Sequence, residues 1–303
     1  MRMRKRRKDV SWFTIMAMLI VVADAILWYR IIFDAIFTSA AQRPGVYFLD
    51  VGKGDAALVD LGQGMRVLID AGPGGTATLE ALDSILAPAD RSLALAIISY
   101  PEDGHFGGLD AVLDRYRIGA VAYNGRDASP GITAWPLLLE KIRSDGIPLL
   151  AIGTGDSIRL GDAGAIDVLS PDYDLVQGAS ILADTGIVAL IRTPRFRALF
   201  AADISRDSEY ELVYRYRASL AADILKAARH GAKDSVTTPF LRAVRPRAVI
   251  IDAGRGGLAG QPDAGVLARL TRETDADIFR IDREGTIAFL PDPAKGFAAY
   301  SVH

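Results

Sequence analysis

Apolar and polar residues follow three patterns along this chain, and each pattern predicts a different kind of element. Residues 10–29 form one predominantly apolar run whose only charged residue is Asp24, and a run of about 20 apolar residues is typical of a helix that spans a membrane. From Val46 onward, short apolar segments alternate with longer segments in which apolar residues recur at helical spacing. The short segments predict buried strands and the longer ones predict amphipathic helices. The chain is therefore expected to carry a membrane anchor followed by an α/β domain.

The residues before the apolar run predict its orientation. Six of the seven residues from Arg2 to Lys8 are Arg or Lys, and such a basic flank stays on the cytoplasmic side of a membrane. The expected organisation is a basic cytoplasmic flank, a transmembrane anchor, a juxtamembrane linker and an extracytoplasmic domain, over residues 1–9, 10–30, 31–45 and 46–303. This organisation predicts a single-pass protein of the cell membrane.

The alternative is a signal peptide that is cleaved at the small residues Thr38-Ser39-Ala40. Arg30 and Asp34 lie between this site and the apolar run, which separates the two by more than a signal peptide normally allows. An uncleaved anchor is therefore the preferred interpretation.

Within residues 46–303, the order of predicted strands and helices gives two βα halves. In the first half, a helix is expected from Gly107 to Arg117. In the second half, residues 186–191 and 198–201 are expected to form a hairpin through Thr193-Pro194. The last strand of the chain is expected at residues 286–290.

Composition restricts the classes of function. The 303 residues include no Cys, which excludes disulfides, thiolate zinc sites and a cysteine nucleophile. The formal net charge is -2, so any surface that binds nucleic acid must be local.

The densest chemistry follows one apolar segment. Residues 95–109 read LAIISYPEDGHFGGL, in which a strand leads into a polar loop with Glu102, Asp103 and His105. Open α/β sheets place their functional groups in loops at the carboxyl ends of strands. This loop is therefore the first candidate for a functional site.

A segment near the start of the domain resembles a known signature. Residues 49–55 read LDVGKGD, which resembles the LDVGQGD signature in the metallo-β-lactamase-like domain of the ComEC family, the channel proteins of competence DNA uptake. A strand that ends at Asp70 and the pair Gly107-Gly108 follow in the family's order. The signature residues are Asp50, Gly52, Gly54, Asp55, Asp70, Gly107 and Gly108. The resemblance implies an αββα metallo-β-lactamase-like sandwich and a hydrolase ancestry of the phosphodiesterase or nuclease type.

The resemblance also implies a set of metal ligands, of which this chain keeps a part. In the family's His-x-[His/Asp/Glu]-x-Asp-His loop, Tyr100 and Gly104 stand where the family has ligands. Asp203 matches the family's metal-bridging Asp, and His230 keeps the second His of a His-His-Gly-Ser loop. Gln261 replaces the His of Gly-His-Pro. The implied ligands are Glu102, His105, Asp203 and His230, and the degraded positions are Tyr100, Gly104 and Gln261.

The histidine content limits the size of the metal site. The chain has three His, and His303 is its last residue, so His105 and His230 are the available imidazoles. Two imidazoles with two or three carboxylates suit one Zn²⁺ or Mn²⁺ ion and not two. Asp203 has an alternative interpretation as an acid that stabilises the start of a helix. A vestigial site would hold no metal, so activity is left undecided.

Basic residues form a second group of candidates. Arg229 stands where the family has a His, and Lys226, Lys233 and Arg255 lie on neighbouring segments. These cations are candidates for binding phosphate, and ordinary solvated charges are the alternative. Tyr100 is expected either to pack over the altered site or to donate a hydrogen bond to a phosphate.

Two functions of different class follow. The first is a metal-dependent hydrolase that acts on DNA or another phosphodiester. The second is a catalytically inactive binding or scaffold module whose basic cleft binds phosphate groups or nucleic acid. The expected partners are the membrane, a phosphate-containing ligand such as DNA, and a partner membrane protein.

Overall fold

A computed structural model describes residues 12–37, 44–127, 131–179, 181–254 and 260–302. The chain divides into two compact units, Met1–Gln42 and Arg43–His303.

The first unit contains one helix, Trp12–Phe37, among its described residues. Several of its large apolar side chains are exposed, including Leu19, Ile26 and Trp28.

The described part of the chain contains no helix that is long and apolar enough to cross a membrane. The predicted transmembrane anchor at residues 10–30 is therefore not supported. The basic flank at residues 1–9 and the alternative cleavage site at residues 38–40 lie outside the described residues.

Two β-sheets form the framework of the second unit. Within the described residues, the first sheet has eight strands and the second sheet has seven. The strands of the first sheet, in spatial order, are Gly296–Val302, Thr286–Asp292, Gly45–Phe48, Ala56–Asp60, Arg66–Ala71, Leu95–Ile98, Val121–Tyr123 and Leu149–Ala151. The strands of the second sheet are Asp277–Arg280, Ala248–Ile251, Ile224–Lys226, Arg197–Phe200, Val188–Arg192, Ala165–Ser170 and Ser157–Arg159. Ser92–Leu93 and Arg117–Ile118 form a short parallel pair.

Apolar side chains from the two sheets share one core. Phe48 of the first sheet stacks on Phe200 of the second, with ring centroids 5.4 Å apart. Ile69, Ile166 and Ile250 are buried in the same cluster. Because each strand alternates its side chains between two faces, the residues between these positions point away from this core and toward helices.

Helices cover the outer face of each sheet. Trp135 and Leu82 are fully buried against the first sheet, and Phe240 and Leu270 are buried against the second. The helices beside the first sheet are Ala77–Ile85, Asp103–Phe106, Leu109–Leu113 and Ala134–Ser144. The helices that follow in the chain are Tyr173–Val176, Arg206–Tyr216, Thr238–Val244, Ala264–Glu273 and Ile281–Glu284. Short 3₁₀ turns lie at Gly161–Ala163, Leu182–Thr185, Arg217–Leu220 and Ala228–Gly231. The predicted αββα sandwich is therefore confirmed.

Two predicted elements differ from the structure. The helix predicted from Gly107 to Arg117 is shorter, Leu109–Leu113, because Arg117 begins a strand. The strand predicted as the last in the chain is followed by Gly296–Val302, which pairs with Thr286–Asp292 along its whole length. This edge strand buries only Phe297 among its side chains, so its sequence carries a weak apolar signal.

Parallel pairing fixes where polar side chains can meet. Arg66–Ala71 pairs in parallel with Leu95–Ile98, and Ile224–Lys226 lies in parallel between Arg197–Phe200 and Ala248–Ile251. The carboxyl ends of parallel strands lie at the same edge of a sheet, where open α/β folds bind ligands. Asp70, His105, Asp203, Lys226, His230 and Asp252 come from the ends of these strands or from the loops after them.

Candidate metal centre

Three loops bring the candidate side chains together: the Asp55 loop (residues 49–55), the His105 loop (residues 99–108) and the His230 loop (residues 227–237). The backbone amide of Asp55 donates a hydrogen bond to the carbonyl of Gly104, 3.0 Å away. A Cβ at Gly54 would lie 2.2 Å from that same carbonyl oxygen. The Asp55 loop can therefore reach the His105 loop only with glycine at position 54.

The other signature residues shape the same region. A Cβ at Gly108 would lie 2.2 Å from the carbonyl oxygen of Ala71, so this glycine lets the His105 loop pack on the preceding strand. Gly52 has a positive φ of 81°, and its amide donates to the Asp50 carboxylate. Asp103 is exposed and does not belong to any of the clustered acids and imidazoles found among the described residues.

His105 is buried and held by one carboxylate. Its Nδ1 lies 2.9 Å from Oδ2 of Asp70, and Asp70 also accepts hydrogen bonds from the amide and hydroxyl of Ser99. A carboxylate accepts hydrogen bonds only, so Nδ1 of His105 carries the proton and donates. Nε2, on the other side of the ring, has no hydrogen-bond partner among the described residues. This arrangement matches the carboxylate–imidazole pairs that orient metal-binding histidines.

Other donor atoms converge where His105 Nε2 points. Oδ2 of Asp203 lies 3.5 Å from Nε2 of His105 and 3.6 Å from Nε2 of His230. Oε2 of Glu102 lies 3.7 Å from Nε2 of His105. The hydroxyl of Tyr100 donates to Asp203 over 3.0 Å. The structure therefore brings together all four predicted ligands, and it adds Tyr100 to them.

His230 is fixed by its backbone as well as by its ring. Its Nδ1 lies 3.0 Å from the carbonyl oxygen of Asp252, so Nδ1 donates and Nε2 faces Asp203. Arg229 and His230 both have positive φ values of 51°, a strained conformation for residues with a Cβ. The amide of Arg229 donates to Oδ1 of Asp203, which ties the strained turn to the carboxylate.

Lys226 is a resident cation beside this cluster. Its side chain is almost fully buried and forms an ion pair with Asp55. Its Nζ lies 3.7 Å from Oδ1 of Asp252 and 3.8 Å from Oδ1 of Asp203. The prediction that Lys226 binds phosphate is therefore wrong, because its charge is buried among carboxylates.

The position of Lys226 also ranks the possible metal sites. Among the described residues, three groups of side chains are close enough together to hold an ion, and two of them include Asp55. Asp55 already neutralises an ammonium group, which would repel a metal ion at the same place. The third group is Glu102, His105 and Asp203. Lys226 lies nearest Oδ1 of Asp203, so Oδ2 of Asp203 stays available to an ion. The side chain of Glu102 is half exposed.

Carboxylates set the charge of both imidazoles. Burial alone would lower the pKa of His105, but Asp70 and Asp55 outweigh it and raise that pKa well above its usual value. For His230, burial is likewise outweighed by Asp55 and Asp252, which raise the pKa to about 9. Without a metal, both rings are therefore protonated near neutral pH, and a bound cation would displace those protons.

The carboxylates respond to the same cluster. Burial and the charge of Asp252 raise the pKa of Asp55, and the opposite charges of Lys226, His230 and His105 act against that rise. The pKa of Asp203 is held well below its usual value because His105 and Lys226 overcome the cost of burial. Asp203 is thus ionised at neutral pH and can act as a ligand without losing a proton.

The other three candidates for binding phosphate, Arg229, Lys233 and Arg255, differ in their surroundings. Lys233 is exposed and lines a cavity of about 260 Å³, which we call the basic cavity. Arg229 is half-buried, and Arg255 lies outside the described residues. The basic cavity is lined by Arg206, Tyr210, Lys233, Asp234, Thr237, Thr238, Pro239 and Arg269.

Sequence reasoning missed several of these residues. Asp252 follows an apolar strand, the same signal that identified Asp203, and could have been found. Arg206 and Arg269 lie on helices whose sequences carry no sign that they face a cavity. Gln261, the degraded ligand position, precedes Pro262, to which it is joined by a cis peptide bond.

Comparisons with known proteins agree with the fold. No family model matches the chain. ComE operon protein 3 of Bacillus subtilis (strain 168) is 23% identical over 259 residues, which cover 84% of this chain and 31% of that protein. The chain thus spans about a third of that relative's length.

Solved structures extend the comparison. A metallo hydrolase from the archaeon Ignicoccus hospitalis has a TM-score of 0.53 at 11% identity, covering 80% of this chain and 98% of that chain. CmlA, a diiron β-hydroxylase from Streptomyces venezuelae, has a TM-score of 0.53 at 13% identity, covering 81% of this chain and 54% of that chain. The metallo-β-lactamase fold protein YhfI from Bacillus subtilis has a TM-score of 0.51 at 11% identity, covering 78% of this chain and 96% of that chain. The chain therefore has the metallo-β-lactamase fold, and by sequence it is similar to ComE operon protein 3.

Proposed function

We propose that this chain is a metal-dependent hydrolase with a single metal ion bound by Glu102, His105, Asp203 and His230. The observation that carries the proposal is that Glu102, His105 and Asp203 form one close group, and that Oδ2 of Asp203 also faces Nε2 of His230. Nε2 of His105 is buried and has no hydrogen-bond partner among the described residues. An unpaired polar atom in the protein interior costs free energy unless a ligand satisfies it.

The donor set fits one ion of intermediate hardness. Two imidazoles and two carboxylates are suited to zinc, manganese or iron. When bound, such an ion supplies Lewis acidity toward a phosphoryl oxygen and makes a water molecule more acidic. A second ion would have to share Asp55 with Lys226, which already neutralises that carboxylate.

Four residues of the chain would have distinct roles around that ion. Asp70 holds His105 in the orientation that presents Nε2, and Asp252 does the same for His230 through its carbonyl oxygen. Asp203 is the carboxylate on which both Nε2 atoms converge. Glu102 is half exposed, so substrate and water would enter from its side.

A phosphodiester is the proposed substrate class. Support comes from similarity to ComE operon protein 3 and from the basic cavity, which offers Arg206, Lys233 and Arg269. Arg206 and Lys233 each follow a proposed ligand, Asp203 and His230, by three positions. Each is therefore within about 11 Å of that ligand along the chain.

Metal content tests the proposal. The full chain, purified without chelator, is expected to contain about one equivalent of zinc, manganese or iron. The variant with His105→Ala and His230→Ala should contain none, while His303→Ala, which removes the third histidine, should keep it. The wild type and His303→Ala should hydrolyse bis(p-nitrophenyl) phosphate and a labelled single-stranded oligonucleotide, and the double variant should not. A folded wild-type protein without metal, or equal metal in the double variant, would contradict the proposal.

The second candidate function is a phosphate-binding module without catalysis, and the basic cavity favours it. Lys233 has no acidic partner within ion-pair distance among the described residues, and the acid nearest Arg206 is its neighbour Asp207 at 3.9 Å. Salt-dependent binding of single-stranded DNA by metal-free protein, lost in the variant with Arg206→Ala and Lys233→Ala, would support this function. Binding without hydrolysis under any metal supply would favour it over the hydrolase.

A further inference from the structure

The hydroxyl of Tyr100 lies among the proposed metal ligands, close enough to act as a ligand itself. The phenol oxygen lies 3.0 Å from Oδ2 of Asp203 and 3.4 Å from Oε2 of Glu102. These separations resemble those between Asp203 and the two Nε2 atoms, 3.5 and 3.6 Å. Oδ2 of Asp203 therefore has the Tyr100 hydroxyl and both Nε2 atoms within 3.6 Å, and Glu102 belongs to the same close group as His105 and Asp203.

The Tyr100 ring is held so that its hydroxyl cannot turn away. The side chain is 4% exposed. Its ring packs against the ring of His105, with centroids 4.4 Å apart, and Gly186 lies against its other side. The hydroxyl thus has acidic oxygens as its neighbours rather than solvent.

We propose that Tyr100 is a fifth protein ligand and that the ion it selects is ferric iron; this inference rests on the proposed single-metal site. A phenolate and two carboxylates give three anionic oxygens, which together balance a charge of three. Hard oxygen anions favour hard cations, of which the ferric ion is one. As the iron–oxygen bond forms, the phenol proton is released to solvent, so no oxidant or reductant is needed when iron is supplied as the ferric ion.

The geometry separates this role from simple packing. A tyrosine that only covered the altered site would need no polar contact, whereas this hydroxyl touches two of the proposed ligands. A tyrosine that only held Asp203 in position would keep its proton and would give no electronic signature with iron. A phenolate bound to ferric iron gives a visible charge-transfer band and resonance-enhanced tyrosine vibrations.

The experiment adds ferric citrate to the metal-free full chain and records iron content, visible absorption and resonance Raman spectra. The wild type and Tyr214→Phe, a variant at an exposed tyrosine, should bind about one equivalent of iron and show the band. Tyr100→Phe should lose the band and bind iron at least about tenfold more weakly, a loss typical of disturbed metal sites. The Raman spectrum of the wild type identifies a bound tyrosine even if Tyr100→Phe does not fold.

The outcomes separate the two proposals. One equivalent of iron, zinc or manganese that depends on His105 and His230, without a tyrosine signature, would overturn the role of Tyr100 and leave the hydrolase proposal standing. No binding of ferric, zinc or manganese ions by the folded wild type would overturn both. A charge-transfer band that persists in Tyr100→Phe would overturn the assignment to this residue.

Discussion

At the scale of single residues, the sequence correctly placed Lys226 near the candidate site but suggested a different role for its charge. Its position near the His230 loop suggested an affinity for phosphate. In the structure it is the counter-ion of Asp55, a residue 171 positions earlier in the chain. Sequence spacing predicts which strand carries a side chain, but it cannot show which carboxylate from the opposite sheet lies across from it. The histidines were easier to identify because there are so few of them.

Replacing Lys226 with methionine should destabilise the fold. Lys226→Met keeps the apolar stem but leaves Asp55 and Asp252 buried without their cation, and breaking such a pair typically costs about 3–5 kcal/mol. Urea unfolding measures the loss. Lys233→Met is the matched control, because surface substitutions usually change stability by no more than about 0.5 kcal/mol. Equal unfolding of the two variants would show that Lys226 does not act as the counter-ion.

The titration of His230 should make the metal-free protein less stable in alkali. Its pKa rises from 6.5 to about 9 on folding, so the folded state binds the proton more tightly than the unfolded state does. The resulting stability is fully present below pH 6.5 and is lost as the pH rises through 9. The raised pKa of Asp55 acts in the same direction.

The size of the effect is on the order of 3 kcal/mol for His230, from the free energy equivalent of its pKa shift. The measurement is the free energy of unfolding of chelator-treated protein across this pH range. His230→Gln, which cannot titrate, should show a flatter profile. A profile that is equally steep in the variant would assign the effect to other groups.

At the scale of elements, two helices hold the His230 loop in its strained conformation. Both carboxylate oxygens of Glu209 accept backbone amides, from Val236 at 2.6 Å and Thr237 at 2.7 Å. From the neighbouring helix, Arg269 donates to the carbonyl oxygens of Ser235 and Val236. Helix and strand identities here were predicted well from apolar spacing. These clamps were not, because a charged residue on a helix gives no sign of the loop it will contact.

Removing Glu209 should loosen the loop that carries His230. Glu209→Ala leaves two buried amides unpaired, at roughly 1–3 kcal/mol each, and should lower metal affinity by about 10- to 100-fold, as loss of a supporting contact does. Glu211→Ala on the same helix is the control, since Glu211 is exposed. Thermal unfolding and metal titration measure the two effects. Unchanged metal affinity with lowered stability would show that the loop keeps its shape without Glu209.

At the scale of the whole molecule, the candidate site joins the two halves of the sandwich. Glu102 and His105 follow a strand of the first sheet, and Asp203 and His230 follow strands of the second. The sandwich itself was predictable from the LDVGKGD segment and the order of strands and helices. The predicted membrane anchor is not supported within the described residues, where no helix combines the length and the apolar character that a membrane span needs.

Metal removal should therefore weaken the attachment of one half to the other. An ion at 100 times its dissociation constant stabilises the folded state by about 2.7 kcal/mol. Adding chelator to the full chain should lower its unfolding temperature, while the variant with His105→Ala and His230→Ala should not respond. Differential scanning calorimetry measures the shift. Equal shifts in both proteins would place the metal elsewhere.

The distances along the chain between the paired residues have a consequence for how this protein is made. Tyr100 and Asp203 are 103 positions apart, and Asp55 and Lys226 are 171 apart. Contacts between such distant positions form slowly and late, because the intervening chain must first be ordered. A nascent polypeptide that ends before Lys226 has neither the counter-ion for Asp55 nor the second imidazole. The full set of proposed metal ligands is therefore complete only once His230 has been synthesised, so we expect metal loading to come late in the maturation of this protein.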